Sequence, residues 1–226
     1  MTMQIAMVGD DGIVLASDML HVAYDLPGGV PRKPISGTKI EISDGRDVAV
    51  SCAHNMDTAR EIAERLIKAT DQEWERPQIS FATIASVITS QAGERDDAQC
   101  LIVSSRSGSP QAFFVADSCV PVERWEIAGD TNNAAAIFLA SAYYSELYSV
   151  QQLVSLAALV IVGASKVNSG AIGGLEIVVC DRDGCHRLDS ECTRSHMNRA
   201  EKWYADTNEL IVRCTEQLAY APNVIS

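Results

Sequence analysis

Apolar residues dominate positions 3–8 and 13–17 without a regular polar alternation, and the two runs are joined by Gly9-Asp10-Asp11-Gly12, whose glycines suit a tight turn. The pattern predicts a hairpin buried on both faces. Residues 25–37 hold three prolines and three glycines among polar and basic side chains, which predicts a long exposed loop before strands at 39–43 and 48–53. Asp57 is the expected N-cap of a helix that places Ala59, Ile62, Ala63, Leu66 and Ile67 on one apolar face. A second helix is expected over 81–91, strands over 99–105, 111–116 and 121–127, and helices over 132–147 and 150–166. A hairpin over 175–179 and 185–188 follows. The C-terminal helix has Met197, Ala200, Trp203, Tyr204, Leu210, Ile211, Cys214 and Leu218 as candidate buried positions.

Helices thus come in pairs between antiparallel strand groups, which disfavours a doubly wound parallel sheet. Strands buried on both faces belong in the middle of a stack. The order therefore predicts an α+β, four-layer αββα sandwich in which two antiparallel sheets lie between helix layers. No linker-like composition divides the 226 residues, so one domain over 1–226 is expected.

Charge narrows the partners. Thirty acidic against 18 basic side chains give a net charge of −12, which repels a phosphate backbone, and no basic patch offsets it, so no nucleic-acid partner is expected. The most apolar run, 153–162, falls short of the roughly 20 residues that span a bilayer, and the N-terminus lacks a signal-peptide pattern. No membrane partner and a cytoplasmic location follow as expectations. Seven cysteines, odd in number and without a C-x-x-C pair, point to reduced thiols packed in the core. The cluster Cys180, Cys185, His186, Cys192 and His196 matches no standard zinc spacing, and Asp181-Arg182-Asp183-Gly184 reads better as a hairpin turn. No metal and no cofactor is expected.

Candidate chemistry sits at the start of the chain. Initiator Met is normally trimmed before a small residue, so the mature chain is expected to begin at Thr2, with a hydroxyl and a free amine on one residue. An α-amino group titrates near about 7.7–8.0, so it can accept the hydroxyl proton and activate its own nucleophile. Asp18 follows sixteen residues later, at the end of the second strand.

Several stretches together resemble the proteasome β-subunit-like family of N-terminal nucleophile hydrolases, in a divergent bacterial form, over nearly the whole chain. Gly12-Ile13-Val14-Leu15-Ala16-Ser17-Asp18 is similar to the family's D-G-V-V-L-A-A-D stretch. Thr38-Lys39-Ile40-Glu41-Ile42 resembles the segment whose lysine sits beside the nucleophile; Lys33 competes by count but lies between prolines. Ser51-Cys52-Ala53-His54-Asn55-Met56-Asp57 resembles the strand end that supplies the oxyanion contact, and Gly173-Gly174 resembles a double glycine before a late strand. The segment before that glycine pair departs from the family: Ser169 or Asn168 stands where Asp is usual, and Ile172 where Ser is usual.

The resemblance implies a threonine peptidase or amidase. Thr2 would be the nucleophile, Lys39 the fixed cation, Asp18 its charge partner, and the Ala53 N–H the oxyanion donor, with Asp130 and Ser169 near the terminal amine. Leu20, His21, Ser51 and Asn55 would shape the substrate pocket, and His54 would be a further wall residue. A peptide or protein substrate, a homo-oligomeric ring or stack, and an unidentified unfoldase partner follow from the same resemblance. A non-catalytic ring subunit that retains Met1, and a ligase or transpeptidase that passes the acyl group to an amine, remain alternatives.

Overall fold

The computed structural model describes residues 2–21, 24–25, 30–31, 35–53, 56–73, 98–106, 108–116 and 118–219. Lys33, His54, Asn55 and the helix expected over 81–91 lie outside the described residues.

Strand β1 (Met3–Val8) turns back into β2 (Ile13–Ser17), and both are buried on their two faces, as the missing alternation predicts. Two short ladders follow, β3 (Leu20–His21) with β6 (Ile35–Ser36) and β4 (Tyr24–Asp25) with β5 (Val30–Pro31). The described residues of the expected loop therefore carry pairing of their own, and Pro31 does not prevent this because edge strands tolerate a missing donor. Next come β7 (Ile40–Ile42), β8 (Val48–Ala53) and helix α1 (Met56–Glu73). This helix begins at Met56, so Asp57 lies within its first turn rather than capping it.

After β9 (Gln99–Ser104) and β10 (Gln111–Val115), the strand expected over 121–127 is two strands in different sheets. The first, β11 (Cys119–Pro121), pairs with β10, whereas β12 (Trp125–Gly129) pairs with β1. Val122 N–H still donates to the Ala112 carbonyl of β10 at 2.8 Å, whereas the Arg124 carbonyl accepts the Val8 N–H of β1 at 2.8 Å, so the chain crosses between the sheets at residue 123. Periodicity marks extended chain but cannot say which sheet receives it.

Helices α2 (Ala134–Tyr143) and α3 (Val150–Val167) follow, then the hairpin β13 (Glu176–Asp181) and β14 (Gly184–Arg187), and α4 (Ser190–Ala219). Asn133 caps α2 by accepting the Ala136 N–H at 3.2 Å. The helix stops before Tyr144, whose hydroxyl donates to the Val8 carbonyl at 2.7 Å.

Two five-stranded antiparallel sheets result, in the orders β12-β1-β2-β13-β14 and β11-β10-β9-β8-β7. Met3, Ile5 and Met7 pack outward under α2 and α3, while Ala6 and Leu15 meet Ala49, Leu101 and Val103 of the second sheet. On the opposite outer face, Ile62, Ala63 and Leu66 of α1 cover Val48, Val50 and Cys52. This is the expected αββα order.

Helix α3 is long and apolar enough to cross a membrane by length and composition, and 56% of it is buried inside the protein. The expectation that the apolar run is too short thus needs correcting, and what the helix does here is pack on β1 and β2. Helix α4 departs further from expectation: Ala200 is buried, but Trp203, Leu210 and Ile211 are 38%, 61% and 55% exposed. Its 30 residues outrun the 18 of α3, so its second half has less surface to pack on. The side chains of Cys214 and Leu218 are not among those described.

The cysteines also differ from a set of seven reduced thiols. Cys52 and Cys100 form a disulfide across β8 and β9, where the register sets them opposite each other with a Cα–Cα distance of 4.1 Å. Register over 48 residues is invisible to spacing rules. Cys180 and Cys185 face each other between the sheets, on either side of the turn read from the sequence, while His196 lies against Ser155 of α3.

Leu153 is fully buried between α3 and the first sheet. Leu153→Ala is expected to lower the unfolding free energy by about 2–5 kcal/mol through lost burial and a residual cavity, measured by urea denaturation.

Candidate active site

The β1–β2 hairpin brings Thr2 and Asp18 together. The register pairs Gln4 with Ser17, so the residues just outside the ladder are neighbours. Asp18 N–H donates to the Met3 carbonyl at 2.9 Å, and the Met3 N–H donates to Asp18 Oδ1 at 2.9 Å. The second carboxylate oxygen accepts the Leu20 N–H at 3.1 Å. Asp18 is fully buried and Thr2 nearly so.

Lys39, just before β7 on the second sheet, reaches across to this corner. Its Nζ donates to Asp18 Oδ1 at 2.8 Å, to the Leu20 carbonyl at 2.7 Å and to Thr2 Oγ1 at 3.2 Å. An ammonium has three protons, and three oxygens receive them. Burial pulls the Lys39 pKa below its ordinary value, while the charge and hydrogen bond of Asp18 oppose that shift.

Thr2 is also held from its other side. Its carbonyl accepts the Asp130 N–H at 2.8 Å, at the end of β12. The preceding Gly129 has φ +89°, and a Cβ there would stand 2.1 Å from that same carbonyl oxygen. The Ala53 methyl would lie 3.2 Å from that added Cβ, which sets the end of β8 against Gly129, next to Thr2.

Three side chains hold the backbone of Lys39 and Ile40. Ser51 Oγ donates to its carbonyl at 3.1 Å, and Glu176 Oε2 accepts its N–H at 2.8 Å and the Ile40 N–H at 3.3 Å. Arg187 pairs with the other oxygen of Glu176 and donates from Nη2 to the Ile40 carbonyl at 2.6 Å.

The expected site residues therefore fall into groups. Thr2, Asp18 and Lys39 meet directly, and Ala53 and Asp130 border them, although Asp130 does so through its backbone while its carboxylate accepts from Asn133. Leu20 and His21 are half-buried beside the cluster. The His21 pKa is lowered, first by burial and then by the Lys39 charge. Ser51 is fully buried and bound to the Lys39 carbonyl, so it braces the lysine instead of lining a pocket. Ser169 lies exposed in the turn after α3, and no hydrogen bond joins it to Thr2 among the described residues. Asn55 is outside those residues.

Gly129, Glu176 and Arg187 escape a reading of the sequence. A glycine before Asp130 is a visible signal for a close backbone approach. The ion pair has none, because its members lie on a hairpin more than a hundred residues from Lys39.

Thr2, Asp18 and Lys39 therefore meet at the open end of the β1–β2 hairpin, opposite the turn at residues 9–12. Solved structures share the architecture. A Gly-1 mutant of Anbu from Hyphomicrobium sp. strain MC1 superposes with a TM-score of 0.71 at 12% identity, covering 93% of this chain and 99% of the other. Anbu, described as an ancestral beta-subunit, from Yersinia bercovieri gives 0.69 at 12% identity, with 98% of both chains covered. The helical assembly of the Anbu complex from Pseudomonas aeruginosa gives 0.70 at 15% identity, covering 99% and 100%. No protein-family model matches the chain, and no curated protein matches it by sequence. At these identities the likeness establishes the fold, which is proteasome-like.

Gly129→Ala is expected to destabilise the protein by more than about 1 kcal/mol, since alanine at positive φ is strained and its methyl would displace the Thr2 carbonyl. Thermal unfolding checks this, and an unchanged midpoint would contradict the close approach.

Proposed function

We propose that the chain is a threonine-type N-terminal nucleophile hydrolase acting on peptide or amide bonds. The observation that carries this reading is the Lys39 ammonium bonded to both the Thr2 hydroxyl and Asp18. With Met1 removed, the Thr2 amine takes the hydroxyl proton as Oγ attacks the carbonyl carbon. The C–N bond breaks, the proton passes to the leaving amine, and water hydrolyses the Thr2 ester. Lys39 stabilises the developing alkoxide, Asp18 balances the lysine, and the Ala53 N–H donates to the oxyanion, where one donor typically lowers the barrier by about 2.7–4 kcal/mol. Leu20 and His21 border the substrate.

One observation favours the alternative, a structural subunit of the same fold. Ser169 is exposed, and no hydrogen bond joins it to Thr2 among the described residues. Mass spectrometry of native protein treated with a threonine-directed β-lactone separates the two. The expected results are a mature chain starting at Thr2, a single adduct on Thr2, no adduct in Thr2→Ala and near-complete loss in Lys39→Ala. Retained Met1 on most molecules would support the structural subunit, and equal labelling of Lys39→Ala and wild type would remove the catalytic assignment.

The proposed protein is a cytoplasmic homo-oligomer. Phe138, Leu147 and Leu210 are 62%, 79% and 61% exposed, and Phe138, Tyr143, Trp203 and Tyr204 form a chain of edge-to-face rings on the helical layer. An apolar face of this kind is suited to contact another subunit, and the Pseudomonas aeruginosa neighbour is itself described as a helical assembly. Sedimentation at micromolar concentration is expected to show species heavier than 24.4 kDa; a monodisperse monomer would contradict it.

A further inference from the structure

We propose that Glu176, braced by Arg187, is a positioning residue that sets where the Lys39 ammonium stands relative to Thr2; this rests on the hydrolase reading above. Strand β7 is the edge of the second sheet, and Lys39 precedes its first residue, so ladder pairing alone leaves the lysine weakly placed. Glu176 supplies the missing restraint. One carboxylate oxygen accepts the N–H groups of Lys39 and Ile40, and Arg187 holds the other oxygen while donating to the Ile40 carbonyl. Both polar groups of Ile40 are thereby bound from the first sheet.

The same glutamate is locked to the acid half of the site. Its register partner on β2 is Ser17, the residue before Asp18, and Ser17 in turn pairs with Gln4 on β1, two residues beyond Thr2. The β13 end therefore fixes the strand that carries Asp18 through backbone pairing and the segment that carries Lys39 through its carboxylate. The Glu176 side chain thus bridges the two sheets at this corner, beside the Lys39–Asp18 and Arg187–Ile40 contacts. Glu176 is 5% exposed, on the strand face that continues into the apolar middle of the interface at Val178 and Cys180. A carboxylate in such a place is otherwise hard to account for, because apolar residues commonly fill the site of a buried ion pair at no loss of stability.

In the processed protein, the double variant Glu176→Leu/Arg187→Met should fold, because neither member of the ion pair is left buried without the other. Its acylation by a threonine-directed β-lactone is expected to fall about 100-fold at saturation, the loss typical of a misplacement near 1 Å, with the half-saturating concentration unchanged. The pH–rate midpoint is expected to move upward, because a displaced Lys39 depresses the Thr2 amine pKa less. Glu176→Gln keeps an acceptor oxygen for both N–H groups and should recover most of the rate and the wild-type midpoint.

A folded double variant that acylates at the wild-type rate would overturn the proposal, as would a slower one with an unmoved pH midpoint, which is what a purely structural role predicts. Should the double variant fail to fold, Glu176→Asp is read in the same way, since it keeps the charge for Arg187 but shortens the reach to Lys39. Lys39→Ala, run in parallel, separates the two levels. If it labels like wild type the hydrolase reading fails, and if it is dead while the Glu176 variants are unaffected only the positioning role does.

Discussion

A carboxylate without access to water must be neutralised and fully hydrogen-bonded, or its burial is prohibitively costly. Asp18 is in that position, and the geometry around it is the answer to this demand. Its oxygens take the N–H of Met3, the N–H of Leu20 and the ammonium of Lys39. Met3 follows Thr2, Leu20 O also receives Lys39, and the remaining ammonium proton meets the Thr2 hydroxyl. Compensating one buried charge thus places a hydroxyl and a cation within 3.2 Å of each other.

The sheet interface explains why this occurs at one end of the sandwich only. Through its middle the interface is apolar, with Ala6, Leu15, Leu101 and Val178 in contact. Polar side chains collect where β2, β13 and β8 approach the site, as Ser17, Glu176 and Ser51. Each has a bond that constrains backbone at the corner: Ser17 to the Asp18 carbonyl, Glu176 to Lys39 and Ile40, Ser51 to the Lys39 carbonyl. Apolar packing holds the layers together, and these directional bonds hold the corner in register.

What could be read from the sequence was whatever a short window contains. The bounds of β1, β2 and β8 are legible because burial on both faces gives continuous apolar runs with glycine or polar breaks. Thr2, Asp18 and Lys39 are legible through a resemblance in order and spacing, and the ladder then brings them together. Pairing between distant segments was not legible. Whether residues 121–127 form one strand or cross between sheets depends on which partner each half finds. The Cys52–Cys100 bond depends on β8–β9 register, and Ser51 was assigned to a pocket because alternation could not say that its inward hydroxyl meets the Lys39 carbonyl.

Ser169 marks the point where the borrowed pattern and the physical one separate. If the chain is the proposed hydrolase, the amine of Thr2 needs its pKa lowered so that it is unprotonated often enough to act. A hydrogen-bonding serine can orient such an amine, but it carries no charge with which to shift it. Lys39 does carry that charge, and its three protons are already committed to Thr2 Oγ1, Asp18 Oδ1 and Leu20 O. A cation so occupied is a poor proton acceptor, which leaves the amine as the base and the lysine as its electrostatic control. On that argument the essential geometry is the position of Lys39, and activation of the amine does not require a bond from Ser169.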